Sequence, residues 1–178
     1  MLGDNHCHLA VMTDWTPIPT IVSGGQTGVD RGALSAALDR GVPCGGWCPE
    51  GRVAEDGVIP ACFPLKELQG GTYSERTLKN VVDSDGTLVI SNGELGGGSG
   101  LTVDFCVREK KPYCLINASE LSLDQSVEQL VHFIREHKIS TLNVAGPRAS
   151  SWANAEKHVY DFVTVFLKYF EGKLGARF

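Results

Sequence analysis

Ile21-Val22-Ser23-Gly24-Gly25-Gln26-Thr27-Gly28-Val29-Asp30-Arg31-Gly32 decides the fold. The β-branched run Thr20-Ile21-Val22-Ser23, stopped by two glycines, reads as a buried parallel strand entering a tight turn. A helix follows at once. Asp30 is placed to cap it, Ala33, Leu34, Ala37 and Leu38 recur at helical spacing, and Gly41 ends it before Val42-Pro43. Strand, glycine turn and helix open a βαβ unit. In the turn, Gly24, Gly25 and Gly28 allow the backbone to approach a phosphate, Gln26 and Thr27 offer side-chain hydrogen bonds, and Asp30-Arg31 brings charge to the helix start. The glycine spacing is not that of the dinucleotide fingerprint, and no Gly-Lys-Ser/Thr marks a nucleoside-triphosphate loop. The competing reading is a tight turn with a purely structural role.

Outward from this unit, Pro43 to Trp47 predicts a weak second strand. Residues 48–72, rich in Pro and Gly, form a long connection with a short strand at Phe63 to Leu68; Arg52, Glu55 and Asp56 make it either a binding arm or a solvated loop. A helix is expected over Tyr73 to Asp83 behind a Thr72/Glu75 capping box, with Arg76, Asn80 and Asp83 on one polar face. Thr87 to Ser91 reads as the central strand. Further expectations are a helix over Leu101 to Glu109, a strand over Pro112 to Asn117, a helix behind the Ser122/Gln125 capping box, a strand over Thr141 to Ala145 and a long final helix. Strands alternating with helices imply right-handed crossovers and helices on both faces of the sheet. The expected fold class is α/β, a Rossmann-like three-layer α/β/α domain with a mainly parallel sheet.

The length of 178 residues suits one domain. Met1 to Pro19 is expected to be a mobile leader, and residues 20–178 one ligand-binding domain. A net charge of -5 argues against a nucleic-acid partner. No apolar run reaches the roughly 18 residues of a membrane helix, and the N-terminal segment lacks a secretory pattern, so the cytoplasm is the expected location. The six cysteines are read as reduced thiols. Cys44 and Cys48 have neither redox spacing nor a second pair for zinc, and His6-Cys7-His8 is an incidental patch, so no protein-ligated metal is expected.

Ligands of open parallel sheets bind beyond the carboxyl ends of the strands, where strand order reverses. Loops after Ser23, Ser91 and Ala145 all meet that condition. The second offers Gly96, Gly97, Gly98, Ser99, Gly100 and Thr102, with Asp104 in the helix it opens. The third offers Gly146 and Arg148, the latter suited to a charge-assisted phosphate contact. Arg76 and Asn80 matter if the cleft lies over their helix. Together these residues predict a site for a phosphorylated small molecule.

Beyond Ile21 to Gly32, the strings Gly46 to Pro49, Ala54 to Gly57, Asp83 to Leu88 and Asn143 to Arg148 resemble the molybdenum-cofactor carrier family, also described as circularly permuted YpsA-like, within the superfamily of LOG and DprA-like Rossmann proteins. The resemblance covers nearly everything after residue 19. It implies a homo-oligomer, dimer or tetramer, that holds molybdenum cofactor (molybdopterin) or a nucleotide, the metal arriving on the pterin dithiolene. The LOG relatives carry Gly-Gly-x-Gly-Thr-x-x-Glu and cleave nucleotide N-glycosidic bonds. Here Leu101 stands at their Thr and Asp104 at their Glu, so the match at that motif is partial. The leading expectation is a binding or carrier protein. The alternatives are a phosphoribohydrolase-like nucleotide N-glycosidase using Asp104, Asp30 or Glu55, and a sensor of nucleotide-derived signals.

Overall fold

A computed structural model describes residues 17–175. The expected leader therefore lies outside the described residues apart from its last three, and so does His6-Cys7-His8. The chain begins with β1 (Thr20–Val22), α1 (Val29–Asp39), β2 (Cys44–Gly45) and β3 (Trp47–Pro49). A 3-10 turn at Glu50–Arg52 leads into β4 (Val53–Ala54), β5 (Gly57–Val58) and β6 (Lys66–Leu68). There follow α2 (Tyr73–Val82), β7 (Gly86–Ser91), α3 (Gly97–Arg108), β8 (Tyr113–Asn117), α4 (Leu123–His137), β9 (Thr141–Ala145) and α5 (Ala155–Gly175).

The main sheet has the order β2-β1-β9-β7-β8, and every pairing in it is parallel. Strands are added outward from β1 on one side and outward from β7 on the other, so the direction reverses across β9. That reversal opens a crevice at the carboxyl edge. Ile21, Leu88, Ile90, Leu142 and Val144 pack with Ala33 of α1, Leu130 and Ile134 of α4, and Phe162 and Phe166 of α5 in the largest buried cluster. Another cluster, Val81 with Phe105 and Cys106, joins α2 to α3. Gly32 allows α1 and α5 to cross closely, because a Cβ there would lie 2.4 Å from the Glu156 carbonyl oxygen. The result is the three-layer Rossmann-like α/β/α arrangement.

Both capping boxes form, Thr72 with Glu75 and Ser122 with Gln125. Three local expectations are corrected. Asp30 does not cap α1: Gly28 holds the cap position without a side-chain bond, while the Asp30 carboxylate accepts from the Gln26 amide at 3.1 Å. α3 starts at Gly97 rather than Leu101, since glycines disfavoured inside a helix are tolerated in its first turn. The strand expected over Pro43 to Trp47 divides between two sheets at Gly46, whose φ is 134° and whose Cβ position lies 2.1 Å from the Ser23 carbonyl oxygen.

The long connection is an ordered lobe. β3 and β6 pair in parallel, β4 and β5 form a hairpin, and Cys48, Ala54, Ile59 and Phe63 bury themselves against Leu34 of α1. Arg52 holds the lobe from within, its guanidinium donating to the carbonyls of Ile59, Pro60, Phe63 and Leu65. A single fork with several donors replaces the regular ladder that so short a segment lacks. Among the described residues no helix is long and apolar enough to cross a membrane.

Candidate functional site

Beyond the carboxyl ends of β1, β7 and β9 lies a cleft of about 530 Å³. All three loops expected to converge there contribute to it. Of the residues anticipated from sequence, Gly24, Gln26, Asp30, Arg76, Asn80, Gly96, Gly97, Gly98, Ser99, Thr102, Gly146 and Arg148 line the cleft. Gly25, Thr27, Gly28, Arg31, Gly100, Glu55 and Asp104 do not.

The first loop is almost wholly buried, from Ser23 to Arg31. Most of its donors are already engaged within the protein. The Gln26 amide meets Asp30, the Thr27 amide donates to Gln26 Oε1 at 3.0 Å, and the Val29 amide donates to the Pro147 carbonyl at 3.2 Å. Two of its glycines admit protein rather than open space. A Cβ on Gly25 would lie 2.4 Å from Leu65 Cδ1, and one on Gly28 2.6 Å from the Pro147 carbonyl oxygen. Gly24 is different, because a Cβ there would fall 1.5 Å from Arg76 Nη1, inside the guanidinium. Gly24 is thus the seat of Arg76.

The second loop has the opposite character. Gly96, Gly97 and Gly98 are exposed, and a Cβ at any of them, or at Gly100, would meet nothing within 4 Å. Gly96 caps α3 without a side-chain hydrogen bond, and the first turn carries no acidic residue. The start of α3, with its partial positive charge, therefore opens on the cleft.

Arg76 is 7% exposed, and its only polar partner among the described residues is Asp30 Oδ2 at 3.5 Å. Its Nε has no acceptor, and neither has Gln26 Nε2. The Gln26 amide is oriented by its other end, since Oε1 accepts from the backbone amides of Thr27 and Glu55. Two buried side chains of the cleft lining thus each keep a buried nitrogen without an acceptor, a condition that is costly unless one is supplied. Asp30 is 6% exposed. Burial pushes its carboxyl above the ordinary value of 3.8, which the Arg76 charge and hydrogen bonds from Gln26 and Ser23 offset only in part.

Several lining residues escaped the sequence reading. Tyr73 lies three residues before Arg76 and so shares its face of α2. The Arg76 and Arg148 guanidiniums lie 5.0 and 4.7 Å from its ring centre. Asn143, Glu94 and Trp152 also line the cleft. Trp152 directly follows the third loop, and that position is its signal in the sequence; Asn143, inside β9, carries no local signal. Asn80 is buried but engaged, its amide bonded to both the N–H and the carbonyl of Trp47 at 2.8 and 3.0 Å.

Residues expected to carry charge to the ligand are in part tied elsewhere. Arg31 forms a two-pronged pair with Asp56 at 2.6 and 2.7 Å, fixing the β4–β5 hairpin to α1. Asp104 is exposed on α3, outside the lining. Glu55 is a clamp. Its carboxylate accepts from the Thr27 hydroxyl and from the Ser150 amide and hydroxyl at 3.1 and 2.6 Å, joining hairpin, first loop and third loop. These bonds, Ser150's first, hold it below the ordinary glutamate value of 4.5. A depressed carboxyl contributes its stability above the unfolded value and loses it as pH falls through the folded one. Amide protection over Gly57 to Ile59 is accordingly expected to drop below pH 4.5 in the wild type, and to be low already at neutral pH in Glu55→Gln. Equal protection in the variant, measured by hydrogen exchange, would exclude the clamp.

No group of three or more His, Cys, Asp or Glu side chains that could hold a metal assembles among the described residues. Burial raises the thiols of Cys44, Cys48, Cys106 and Cys114 above their ordinary value, which suits inert core cysteines. The cleft combines a buried cationic side chain, an open helix start and a carboxyl that burial raises above its ordinary value. That chemistry is anion recognition.

Comparison with known proteins agrees with this architecture. Residues 21–167 match the model of the circularly permutated YpsA SLOG family, a span from β1 into α5 that includes every cleft-lining loop. The crystal structure of a protein from Syntrophus aciditrophicus SB, named as a candidate molybdenum carrier protein, superposes with a TM-score of 0.82 at 45% identity, covering 84% of this chain and 95% of that one. No curated protein matches. With a family model matched over residues 21–167 and a solved relative at 45% identity, the chain belongs to the circularly permutated YpsA SLOG family.

Proposed function

We propose that this chain is a binding or carrier protein for a phosphate-bearing heterocycle held in the cleft, with the molybdenum cofactor (molybdopterin) as its cargo. The observation that carries the reading is Arg76, a buried cation seated on Gly24 with one long contact to Asp30 and donors left over. Phosphate oxygens supply the acceptors such a group lacks. The volume of about 530 Å³ falls in the ordinary range for small-molecule sites. Among the described residues no thiol or imidazole lines the cleft, and in this reading the pterin dithiolene holds the molybdenum. The solved relative named as a candidate molybdenum carrier supports the choice of cargo. A cytoplasmic homo-oligomer, dimer or tetramer, completes the proposal.

Native mass spectrometry with metal analysis of the purified chain tests it. The expected result is one phosphorylated pterin per chain, with molybdenum in proportion. Absence of any such molecule, together with no uptake of added molybdenum cofactor, would overturn it. Asp30 keeps a second reading open, since a glycosidic acid is a carboxyl whose pKa is raised, and burial shifts Asp30 in that direction. Release of free base from nucleoside monophosphates, lost in Asp30→Asn, would favour that nucleotide N-glycosidase over the carrier.

A further inference from the structure

Arg76 and Arg148 stand on different elements, α2 and the third loop, yet their guanidiniums lie over one ring, 5.0 and 4.7 Å from the centre of Tyr73. Like charges drawn to one place repel, and a carboxylate between them is the ordinary remedy. Neither cation has a close one. Arg76 reaches Asp30 Oδ2 only at 3.5 Å and keeps its Nε without an acceptor, and the Arg148 guanidinium has no hydrogen bond among the described residues. Glu55, whose carboxylate feels the Arg148 charge, spends both its oxygens on Thr27 and Ser150.

Arg108 and Lys79 show the contrast. They lie over Phe105 and Trp47, and each also holds a carboxylate at 3.0 Å, Glu109 and Asp83 respectively. There the ring adds to a pairing that already exists. At Tyr73 the ring takes the place of one, and the chemical consequence differs: a carboxylate cancels charge and takes up N–H donors, whereas an aromatic face attracts a cation and leaves its donors free. Tyr73, Arg76 and Arg148 all line the cleft. The ring is anchored by its own helix, since Tyr73 is the first residue of α2, directly behind the Thr72/Glu75 capping box, and its carbonyl accepts from the Thr77 hydroxyl at 3.0 Å. The Tyr73 hydroxyl has no partner among the described residues. What the protein uses here is the ring.

We propose that Tyr73 is a positioning residue, whose ring holds Arg76 of α2 and Arg148 of the third loop as one cationic clamp for an anionic group of the ligand. The inference rests on the proposed binding function and gives Tyr73 a role in it.

NMR of the full chain carrying 13C-labelled arginine, with inorganic orthophosphate as the probe, provides the test. In the wild type the Cδ–Hδ signals of Arg76 and Arg148 are expected upfield of their positions in the urea-unfolded chain, because both side chains lie over the ring. Tyr73→Leu is expected to release both signals and to weaken orthophosphate binding about fivefold to tenfold. Tyr73→Phe restores the ring without the hydroxyl and is expected to recover both the shifts and the affinity. Arg148→Met, at an exposed position, is expected to cost more affinity in the wild type than in Tyr73→Leu, where the placement of Arg148 is already lost. Equal losses in Tyr73→Phe and Tyr73→Leu, or fully additive losses in the double variant, would overturn the proposal. Should Tyr73→Leu fail to fold, the wild-type signals decide, and an Arg148 signal without upfield displacement would overturn it. Wild type that binds no orthophosphate would overturn the clamp as well, while the carrier reading is decided separately by native mass spectrometry.

Discussion

Gly28→Ala is expected to destabilise the protein by about 4 kcal/mol, whereas Gly98→Ala, the same change of one methyl group, is expected to stabilise it by about 0.5 kcal/mol. Gly28 has φ 78° and ψ -124°, a region that side chains rarely enter. Its Cβ would also press on backbone: 2.6 Å from the Pro147 carbonyl oxygen, 2.8 Å from the Ala149 nitrogen and 2.9 Å from the Arg148 carbonyl carbon. Backbone cannot rotate aside as a side chain can, so the third loop must leave its seat on the first. Gly98 meets neither obstacle, and alanine there lowers the entropy of the unfolded chain and favours α3. Urea unfolding midpoints measure both changes. The third loop would not be seated as described if Gly28→Ala unfolded at the wild-type midpoint. Ligand affinity should move independently of stability, because Gly98→Ala places a methyl group where the bare backbone faces the cleft.

Arg76→Met is expected to cost about 3 kcal/mol near neutral pH, with most of the loss recovered in Arg76→Met/Asp30→Asn. The reason is the carboxyl left behind. Asp30 is raised above 3.8 in the wild type even with Arg76 beside it, and without that cation it rises further. A carboxyl raised on folding binds its proton more tightly in the native state. Its unfavourable effect is absent below the unfolded value of 3.8 and grows as pH rises through the folded value. The gap between Arg76→Met and wild type should therefore close toward acid and widen toward neutrality. Replacing Asp30 with Asn removes that pH dependence. Denaturant unfolding across this range decides the matter, and a gap independent of pH would mean that Arg76 does not neutralise Asp30.

Both predictions concern residues whose importance was visible in the sequence and whose roles were not. Gly28 was read as a place where a phosphate approaches the chain. It is where another loop approaches. Arg76 was placed on the polar face of a helix, a face that is ordinarily solvated, and only the packing of α2 against β3 and the first loop turns it inward. Asn80, on the same face, imitates a strand partner for Trp47. Glu55 carried the right chemistry for a general base, yet Ser150, 95 residues later in the chain, occupies its carboxylate.

By itself the sequence determined the order of the main-sheet strands and of the helices, both capping boxes and the convergence of three strand-to-helix loops on one edge, but not the strands β3, β4 and β5 of the lobe. Each of these follows from local spacing, from the periods of apolar residues, or from the single direction that parallel strands share. It also carried enough of the motif strings for the family to be named from them. Only the tertiary structure decided which glycines face protein and which face the cleft. The neighbours that fill Gly24, Gly25 and Gly28 come from Arg76, Leu65 and Pro147, and no local pattern encodes contacts that distant. For the same reason the weight of the site moves from the buried first loop toward Arg76 and the open start of α3.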